Sequence, residues 1–261
     1  MTALLLDSVS HDFSTRRAPW RRRRTTATGP AVDNLSLHVD HGEVVAMIGL
    51  NGAGKTTALR ALTGRLRPDS GTAEILGHDA AELPPSVAAQ FGHVVDAPLV
   101  FADLTVTENL RAAARLHGCP VGHIEDLVGD TRRQLALDAW ADVRARALSQ
   151  GNRQRLGIGS ATIHSPRALV LDEPTSALDP RGVVIVRQLV RDLAAQGTAV
   201  LVSSHHLDEV SRVADRIVAV HAGRVVENFD PSGPDLESRF FASVLAAERE
   251  VPRADRTGEE A

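Results

Sequence analysis

Nine consecutive residues near position 50 have the types and spacing that bind a chain of phosphates. They are Gly49, Leu50, Asn51, Gly52, Ala53, Gly54, Lys55, Thr56 and Thr57. The stretch fits the pattern G-x-x-x-x-G-K-[ST], in which glycines let backbone N–H groups come close to an anion. Lys55 would bring a full positive charge to the β- and γ-phosphates, and Thr56 a hydroxyl ligand for Mg²⁺. This phosphate loop predicts a site for a nucleoside triphosphate.

The context of the phosphate loop supports this interpretation. Of the 29 lysine and arginine residues, Lys55 is the one lysine, and a phosphate site favours its compact ammonium as a point charge. Residues 43–48 form an apolar run typical of a buried strand, and residues 57–62 predict a helix that ends at Gly64. The loop would therefore lie in a strand-to-helix turn, where the helix N-terminus favours an anion.

A carboxylate pair follows a second apolar run. Residues 167–171 predict another buried strand, and Asp172 and Glu173 come at its end. Ligand sites in open α/β sheets lie at the carboxyl ends of the strands. Asp172 is therefore a candidate Mg²⁺ ligand, and Glu173 is a candidate to polarise an attacking water.

The remaining patterns predict an α/β fold with an inserted helical segment. Further strands are predicted at residues 4–13, 35–39, 72–76, 91–95 and 198–203, with a hairpin at 216–226. Thr105 and Glu108 have the spacing of a helix capping box, and residues 123–147 are also helix-like, so 97–148 is interpreted as a helical insertion. Asp179-Pro180 predicts a helix start, and residues 236–248 a last helix. Strands that alternate with helices indicate a mainly parallel sheet.

Composition limits the class of protein. Hydrophobic residues make up 43% of the 261 residues, enough for one large domain or a core with a subdomain. The net charge of −4 argues against bulk nucleic-acid binding, so no nucleic-acid partner is expected. The single cysteine, Cys119, excludes an internal disulfide and suits a reducing cytosol. The sequence has neither a signal-peptide pattern nor an apolar run of about 18 residues, so we expect any membrane-spanning part to belong to another chain.

A basic insert interrupts the first predicted strand pair. Six arginines lie between Arg16 and Arg24, together with Pro19 and Trp20. A solvated loop, a contact with anionic lipid head groups and a contact with nucleic acid are all compatible with this run.

Four motifs in order give the chain a specific resemblance. They are GLNGAGKTT at 49–57, LSQGN at 148–152, LVLDEPTSALD at 169–179 and SSHHLDEV at 203–210. Over residues 4–230 the sequence resembles the ATPase subunits of ATP-binding-cassette (ABC) transporters. The resemblance implies a P-loop NTPase core of the RecA-like type, an N-terminal antiparallel β-subdomain and the helical subdomain at 97–148. Residues 1–230 would be one ATPase domain, and 231–261 a C-terminal helix with a frayed tail.

The resemblance also implies roles for individual residues. Residues 49–57 match the Walker A loop, Asp172 the Walker B aspartate and Glu173 the catalytic glutamate. His205 matches the switch histidine, in preference to His206, and Asp179 closes the D-loop. Ser149 and Gly151 match signature residues that complete the ATP site of a second subunit. Phe13 stands where an aromatic ring usually stacks on adenine, with Trp20 as its rival.

Two departures from the family pattern affect the expected activity. The signature L-S-G-G-Q has Gln150 and Asn152 at its third and fifth positions. The Q-loop glutamine is replaced by Asp96, which would repel the γ-phosphate but attract Mg²⁺. Each of these interactions is on the order of a few kcal/mol at about 4 Å and an effective dielectric near 20. We therefore hypothesise slower or partner-gated hydrolysis, and by analogy an exporter in preference to a nutrient importer.

The sequence therefore predicts the ATP- and Mg²⁺-dependent subunit of a bacterial exporter, such as one for a drug or antibiotic. It would work as a homo- or heterodimer with a separate transmembrane permease at the cytoplasmic face of the membrane. Two alternatives stay open, a soluble cassette ATPase of the cluster-assembly type and a nucleotide-binding regulator with little turnover. The transported substrate is not encoded in these motifs.

Overall fold

The computed structural model describes residues 1–14 and 29–250, with Glu250 described without its side chain. The arginines at 16–24, Trp20 and the last ten residues lie outside the described residues. Three sequence predictions therefore stay predictions: the interpretations of the basic insert, the alternative role of Trp20 and the frayed tail.

Two β-sheets make up the strand content of the described residues. The strands are β1 (Thr2–His11), β2 (Val32–Asp40), β3 (Val44–Ile48), β4 (Ser70–Ile75), β5 (His78–Asp79), β6 (Phe91–Val94), β7 (Ala168–Asp172), β8 (Ala199–Ser204), β9 (Arg216–His221) and β10 (Arg224–Phe229). The first sheet has the order β2-β1-β4-β5 and is antiparallel. The second has the order β10-β9-β3-β8-β7-β6 and is parallel except for the β9–β10 hairpin. The predicted α/β class, with a mainly parallel sheet and an N-terminal antiparallel sheet, is confirmed.

Eight α-helices accompany these sheets within the described residues. They are α1 (Lys55–Leu62), α2 (Pro85–Ala88), α3 (Val106–Leu116), α4 (Ile124–Gln134), α5 (Gln150–Thr162), α6 (Pro180–Ala195), α7 (Leu207–Val210) and α8 (Leu236–Glu250). Helix α1 begins at Lys55, directly after the glycines of the phosphate loop, and Asp179 caps α6 by accepting the Gly182 N–H at 2.7 Å. Among the described residues, no helix has both the length and the apolar character that crossing a bilayer requires.

Strand β3 shows why the second sheet is buried on both faces. Val45 and Met47 pack in the hydrophobic cluster shared with the first sheet and α1. Val44, Ala46 and Ile48 point to the other cluster, which includes residues of α6 and of the helical segment. Such a continuous apolar run is typical of a parallel strand covered on both sides. The carboxyl ends of β3, β7 and β8 are thereby fixed by packing on two sides.

The helical segment 97–148 begins as predicted and then departs from the prediction. Thr105 and Glu108 form the predicted capping box at the start of α3. Residues 123–147 are not one helix, because α4 ends at Gln134 and only short 3₁₀ turns follow at 138–140 and 145–147. Leu135 and Leu137 are both fully buried, and two residues that lie two positions apart cannot share one face of a helix. Ala136 between them adopts a left-handed conformation with φ of 51°, which turns the chain.

Candidate functional site

The phosphate loop joins β3 to α1, and two of its glycines are required by their surroundings. A Cβ on Gly49 would lie 2.3 Å from the Val220 carbonyl oxygen, closer than real Cβ contacts. Gly54 has a φ of 103°, and its Cβ would lie 2.4 Å from the Ala31 carbonyl oxygen. The loop therefore fits between neighbouring backbone segments only when these two side chains are absent.

Lys55 is buried inside the phosphate loop with its ammonium turned back towards the backbone. Only 6% of the residue is exposed. Its Nζ donates a hydrogen bond to the Gly49 carbonyl at 2.6 Å and lies 3.7 Å from Glu173 Oε1. The one lysine of the chain thus stands at the N-terminus of α1, beside a carboxylate that follows β7.

Thr56 and Asp172 bring together the two candidate Mg²⁺ ligands from separate elements. The Thr56 hydroxyl donates to Asp172 Oδ2 at 3.0 Å, which joins the start of α1 to the end of β7. A hydroxyl and a carboxylate are hard oxygen donors, the kind Mg²⁺ prefers. The described residues contain no group of three or more His, Cys, Asp or Glu side chains that could hold a metal. The donor set therefore fits Mg²⁺ if water and phosphate oxygens supply the remaining ligands.

Glu173 and His205 form the second pair of the site. His205 Nδ1 lies 2.9 Å from Glu173 Oε2, and the rings of His205 and His206 are 3.9 Å apart. Glu173 has a φ of 48°, a left-handed conformation that non-glycine residues adopt only rarely. Its N–H donates to the hydroxyl of Ser203 at 3.0 Å. Sequence reasoning gave Ser203 no role, although it opens the SSHHLDEV motif at the end of a predicted buried strand.

Asp96 follows β6 and is engaged by two arginines. Arg60 Nε lies 3.0 Å from Asp96 Oδ1 and 3.1 Å from Oδ2, and its Nη2 also bonds to Oδ1. Arg65 Nη1 lies 3.4 Å from Asp96 Oδ2 and donates to the Val95 carbonyl at 2.8 Å. The hydrogen bond from Arg60 lowers the pKa of the Asp96 carboxyl below its ordinary value. Sequence reasoning did not anticipate either arginine, and no local signal pointed to them.

The signature residues stand at the start of α5. The exposed Ser149 caps this helix by accepting the Asn152 N–H at 3.2 Å, and Gly151 lies so close to Ala177 that an added Cβ would be 2.8 Å from its carbonyl oxygen. A cleft of about 750 Å³ connects this helix start with the strand ends. Its lining includes Asp96, Pro98, Gln150, Arg153, Asp172, Glu173 and Ser176.

The structure thus brings together most of the predicted site residues. Lys55, Thr56, Asp172, Glu173 and His205 form one connected cluster, and Asp96 and Gln150 share the cleft beside it. Phe13 lies just beyond β1, where it is 46% exposed and meets His11 edge-on at 4.6 Å between ring centroids.

A family model and several curated proteins match this chain. The model described as "ABC transporter" matches residues 32–176. The bacitracin transport ATP-binding protein BcrA of Bacillus licheniformis is 34% identical over 76% of this chain and 64% of its own length. The daunorubicin/doxorubicin resistance ATP-binding protein DrrA of Streptomyces peucetius is 39% identical over 82% of this chain and 64% of its own length. The Nod factor export ATP-binding protein I of Paraburkholderia xenovorans is 34% identical over 87% of this chain and 77% of its own length.

Solved structures share the same fold. The ATP-binding subunit of an ABC transporter superposes with a TM-score of 0.77 at 28% identity, over 93% of this chain and 94% of that one. A dimeric ATP-binding cassette in a post-hydrolysis state with ADP and Pi superposes with a TM-score of 0.76 over 88% of this chain and 99% of that one. That second match, at 22% identity, supports the fold alone.

Proposed function

Because this chain belongs to the ABC transporter family, we propose that it is the ATP-binding and ATP-hydrolysing subunit of an export-type transporter. It acts at the cytoplasmic face of the membrane, where it powers a separate transmembrane protein. The observation that carries the proposal is the cluster of Lys55, Thr56, Asp172, Glu173 and His205 at the strand ends. The relatives compared above, which are named for transport, resistance or export, favour the exporter class.

Hydrolysis follows from what these side chains can do around a triphosphate. Glu173 orients a water whose oxygen forms a bond to the γ-phosphorus while the bond to the β–γ bridging oxygen breaks. The products are ADP and inorganic phosphate, and the proton of the water passes to solvent or phosphate. Lys55 and His205 stabilise the negative charge that develops on the phosphate oxygens. The contacts of Glu173 with Lys55 and His205 keep its carboxylate beside the reacting group.

Thr56 and Asp172 are the residues that would hold Mg²⁺. Bound there, the ion would neutralise charge on the β- and γ-phosphate oxygens. Asp172 keeps its carboxylate turned towards Thr56, since Oδ2 accepts the Thr56 hydroxyl at 3.0 Å. Each of the two residues stands at the end of a well-packed element, so their separation is fixed by the fold.

Dimer closure would complete the site. Ser149 and Gly151 lie at the start of α5, which has 13 residues, so its N-terminal N–H groups can face an anion. In the proposed dimer, Ser149 of the partner subunit and Gly151 of the partner subunit contact the γ-phosphate held by Lys55 of this subunit. Asp179, at the start of α6, lies close to the same interface, and Phe13 stacks on the adenine.

The transmembrane partner would contact the segment between β6 and α3. Leu99 is 77% exposed and Phe101 46% exposed, and both lie in the few residues that follow Asp96. Large exposed apolar patches mark interaction sites, and these two side chains are our candidates for part of one. This segment also lines the cleft through Pro98, so movement of the membrane partner would reach the nucleotide site directly.

Phosphate release and binding calorimetry test this proposal together. We expect Mg·ATP to bind with heat that is lost in Lys55→Ala, and phosphate release that falls at least about 100-fold in Glu173→Gln. Glu125→Gln, on α4 and remote from the cluster, serves as the matched control. It should keep both the heat of Mg·ATP binding and the rate of phosphate release. Equal, near-zero release by the wild type and Glu173→Gln, even with the membrane partner supplied, would favour a regulator with little turnover. Co-purification with a soluble scaffold instead of a multi-span membrane protein would favour a soluble cassette ATPase.

A further inference from the structure

Ser203 is a buried hydroxyl that touches both carboxylate residues at the end of β7. Its exposed fraction is 0%. In the parallel pairing of β7 and β8, Ser203 stands directly opposite Asp172. The Ser203 hydroxyl donates to Asp172 Oδ1 and accepts the Glu173 N–H at 3.0 Å.

The direction of these two hydrogen bonds is fixed by chemistry. A serine hydroxyl has one hydrogen to donate, and a backbone N–H can only donate. The Glu173 N–H therefore occupies an acceptor position of the Ser203 oxygen, and the hydrogen goes to the Asp172 carboxylate. A carbon or a sulfur atom at this place would not reproduce this pair of bonds.

The hydroxyl controls the backbone of Glu173. Glu173 has a φ of 48°, in the left-handed region that a side chain disfavours, so the surroundings must hold it there. In that conformation its carboxylate lies 2.9 Å from His205 Nδ1 and 3.7 Å from Lys55 Nζ. Without the Ser203 oxygen, the Glu173 N–H loses its acceptor and the conformation loses that support.

The same hydroxyl controls the orientation of Asp172. Asp172 Oδ1 accepts from Ser203 and Oδ2 accepts from Thr56 at 3.0 Å, so each oxygen has its own partner. When Ser203 fixes Oδ1, the second oxygen faces the start of α1. Loss of the bond to Oδ1 frees the carboxylate to rotate away from Thr56.

We propose that Ser203 is a positioning residue for the hydrolytic reaction, whose single hydroxyl aligns Asp172 and Glu173 with each other. The inference rests on the proposed function, because it assigns to both carboxylates a part in ATP hydrolysis. The hydrogen bonds of the Ser203 hydroxyl go to Asp172 and Glu173, so we expect ATP affinity, which depends on Lys55 and the glycines, to stay nearly unchanged. Loss of the Ser203 hydroxyl should instead change the turnover number and the Mg²⁺ requirement.

Three substitutions at this position isolate the hydroxyl. Ser203→Ala removes it without adding volume, and Ser203→Thr and Ser203→Val both add a methyl group but differ in the hydroxyl. We expect kcat to fall about 10- to 100-fold in Ser203→Ala, as for other partners that orient metal ligands, with KM for ATP within about 3-fold. Ser203→Thr should exceed Ser203→Val in kcat by about 10-fold or more. The ratio between them is informative even if the added methyl lowers both rates.

A binding measurement gives a readout that does not need turnover. The Mg²⁺ concentration that half-saturates binding of a fluorescent ATP analogue should rise about 10-fold in Ser203→Ala and stay near the wild-type value in Ser203→Thr. Thr198→Val is the matched control, because Thr198 has a buried hydroxyl next to the opposite end of β8, where it donates to the Pro166 carbonyl at 2.7 Å. It should leave both readouts unchanged.

The outcomes separate this inference from the proposed function. If Ser203→Ala keeps the wild-type kcat and Mg²⁺ requirement, or if Ser203→Thr and Ser203→Val lose the same activity, Ser203 has no positioning role. If wild-type release of phosphate is not reduced by Glu173→Gln, the proposed function itself is wrong. If Thr198→Val lowers kcat and raises the Mg²⁺ requirement as much as Ser203→Ala does, the effect comes from a general loss of stability. That result would overturn the inference.

Discussion

Breaking the ion pair between Arg60 and Asp96 should destabilise the fold by about 1 kcal/mol at pH 7. Two unit charges about 4 Å apart attract by about 4 kcal/mol at an effective dielectric near 20. Solvent reduces this value, because the side chains of Arg60 and Asp96 are 40% and 34% exposed. Exposed pairs contribute about 0.2–1 kcal/mol, and the two-pronged geometry around Asp96 places this pair at the upper end.

The pH dependence of this contribution has a defined sign. Arg60 lowers the pKa of Asp96 in the folded protein below its value in the unfolded chain, which is about 3.9. The stabilisation is therefore fully present above the unfolded pKa and is lost as the pH falls through the folded pKa. At pH 7 the wild type should gain it in full, whereas Asp96→Asn should show no contribution from this site at any pH.

Urea unfolding of four proteins measures the coupling energy between Arg60 and Asp96. The wild type, Arg60→Gln, Asp96→Asn and the double variant form a cycle whose coupling energy should be about 1 kcal/mol in low salt and smaller in 1 M NaCl. The pair Arg111–Glu125, which joins α3 to α4 with an Nε–Oε1 distance of 2.7 Å, provides the control cycle. Its coupling energy should also fall in 1 M NaCl, and breaking it should leave the ATPase rate unchanged.

A coupling energy below about 0.2 kcal/mol, or one that 1 M salt leaves unchanged, would refute this reasoning for Arg60 and Asp96. The same position carries the hypothesis of slow or partner-gated hydrolysis. Asp96→Gln removes the charge that holds Arg60 beside the cleft, so we expect the ATPase rate and its Mg²⁺ dependence to change. If both stay the same, the acidic residue at this position does not govern turnover.

Three further predictions follow from packing and charge. Gly49→Ala should abolish ATP binding in calorimetry, because its Cβ would lie 2.3 Å from the Val220 carbonyl oxygen. Gly157→Ala would place a Cβ 2.1 Å from the Pro98 Cβ, so it should lower both unfolding stability, by about 1–3 kcal/mol, and ATPase rate. Burial lowers the pKa of His164 to about 4, so the unfolded chain binds more protons than the folded protein between about pH 4 and 6.5. The free energy of unfolding therefore decreases as the pH is lowered through this range. His164→Leu should flatten this fall in urea midpoints measured at pH 7 and 5.

The elements that sequence reasoning found are those with a local signal. The phosphate loop was identifiable because its glycines, Lys55 and Thr56 lie within nine residues, and β3, β7 and β8 were predictable from short apolar runs. The helix expected over 123–147 was wrong because spacing alone did not reveal that α4 ends at Gln134 and that Ala136 turns the chain between the buried Leu135 and Leu137.

The contacts that sequence reasoning missed join residues that are far apart in the chain. Arg60 and Asp96 are separated by 36 positions, and Ser203 and Asp172 by 31. Neither pair belongs to a local pattern, because an arginine on a helix and a serine at a strand end are ordinary residues in those places. Only the strand order and the packing of α1 bring them together, and periodicity carries no information about strand order.

Strand β8 lies between the two strands that deliver the phosphate loop and the carboxylates. It pairs with β3 on one side, where Ile48 stands opposite Ser204, and with β7 on the other, where Asp172 stands opposite Ser203. A change at the end of β8 therefore reaches both halves of the site, whereas a change at the end of β3 or β7 reaches one half directly. This central position is the reason that a small hydroxyl at Ser203, which hydrogen-bonds to Asp172 and Glu173, can govern the alignment of the site.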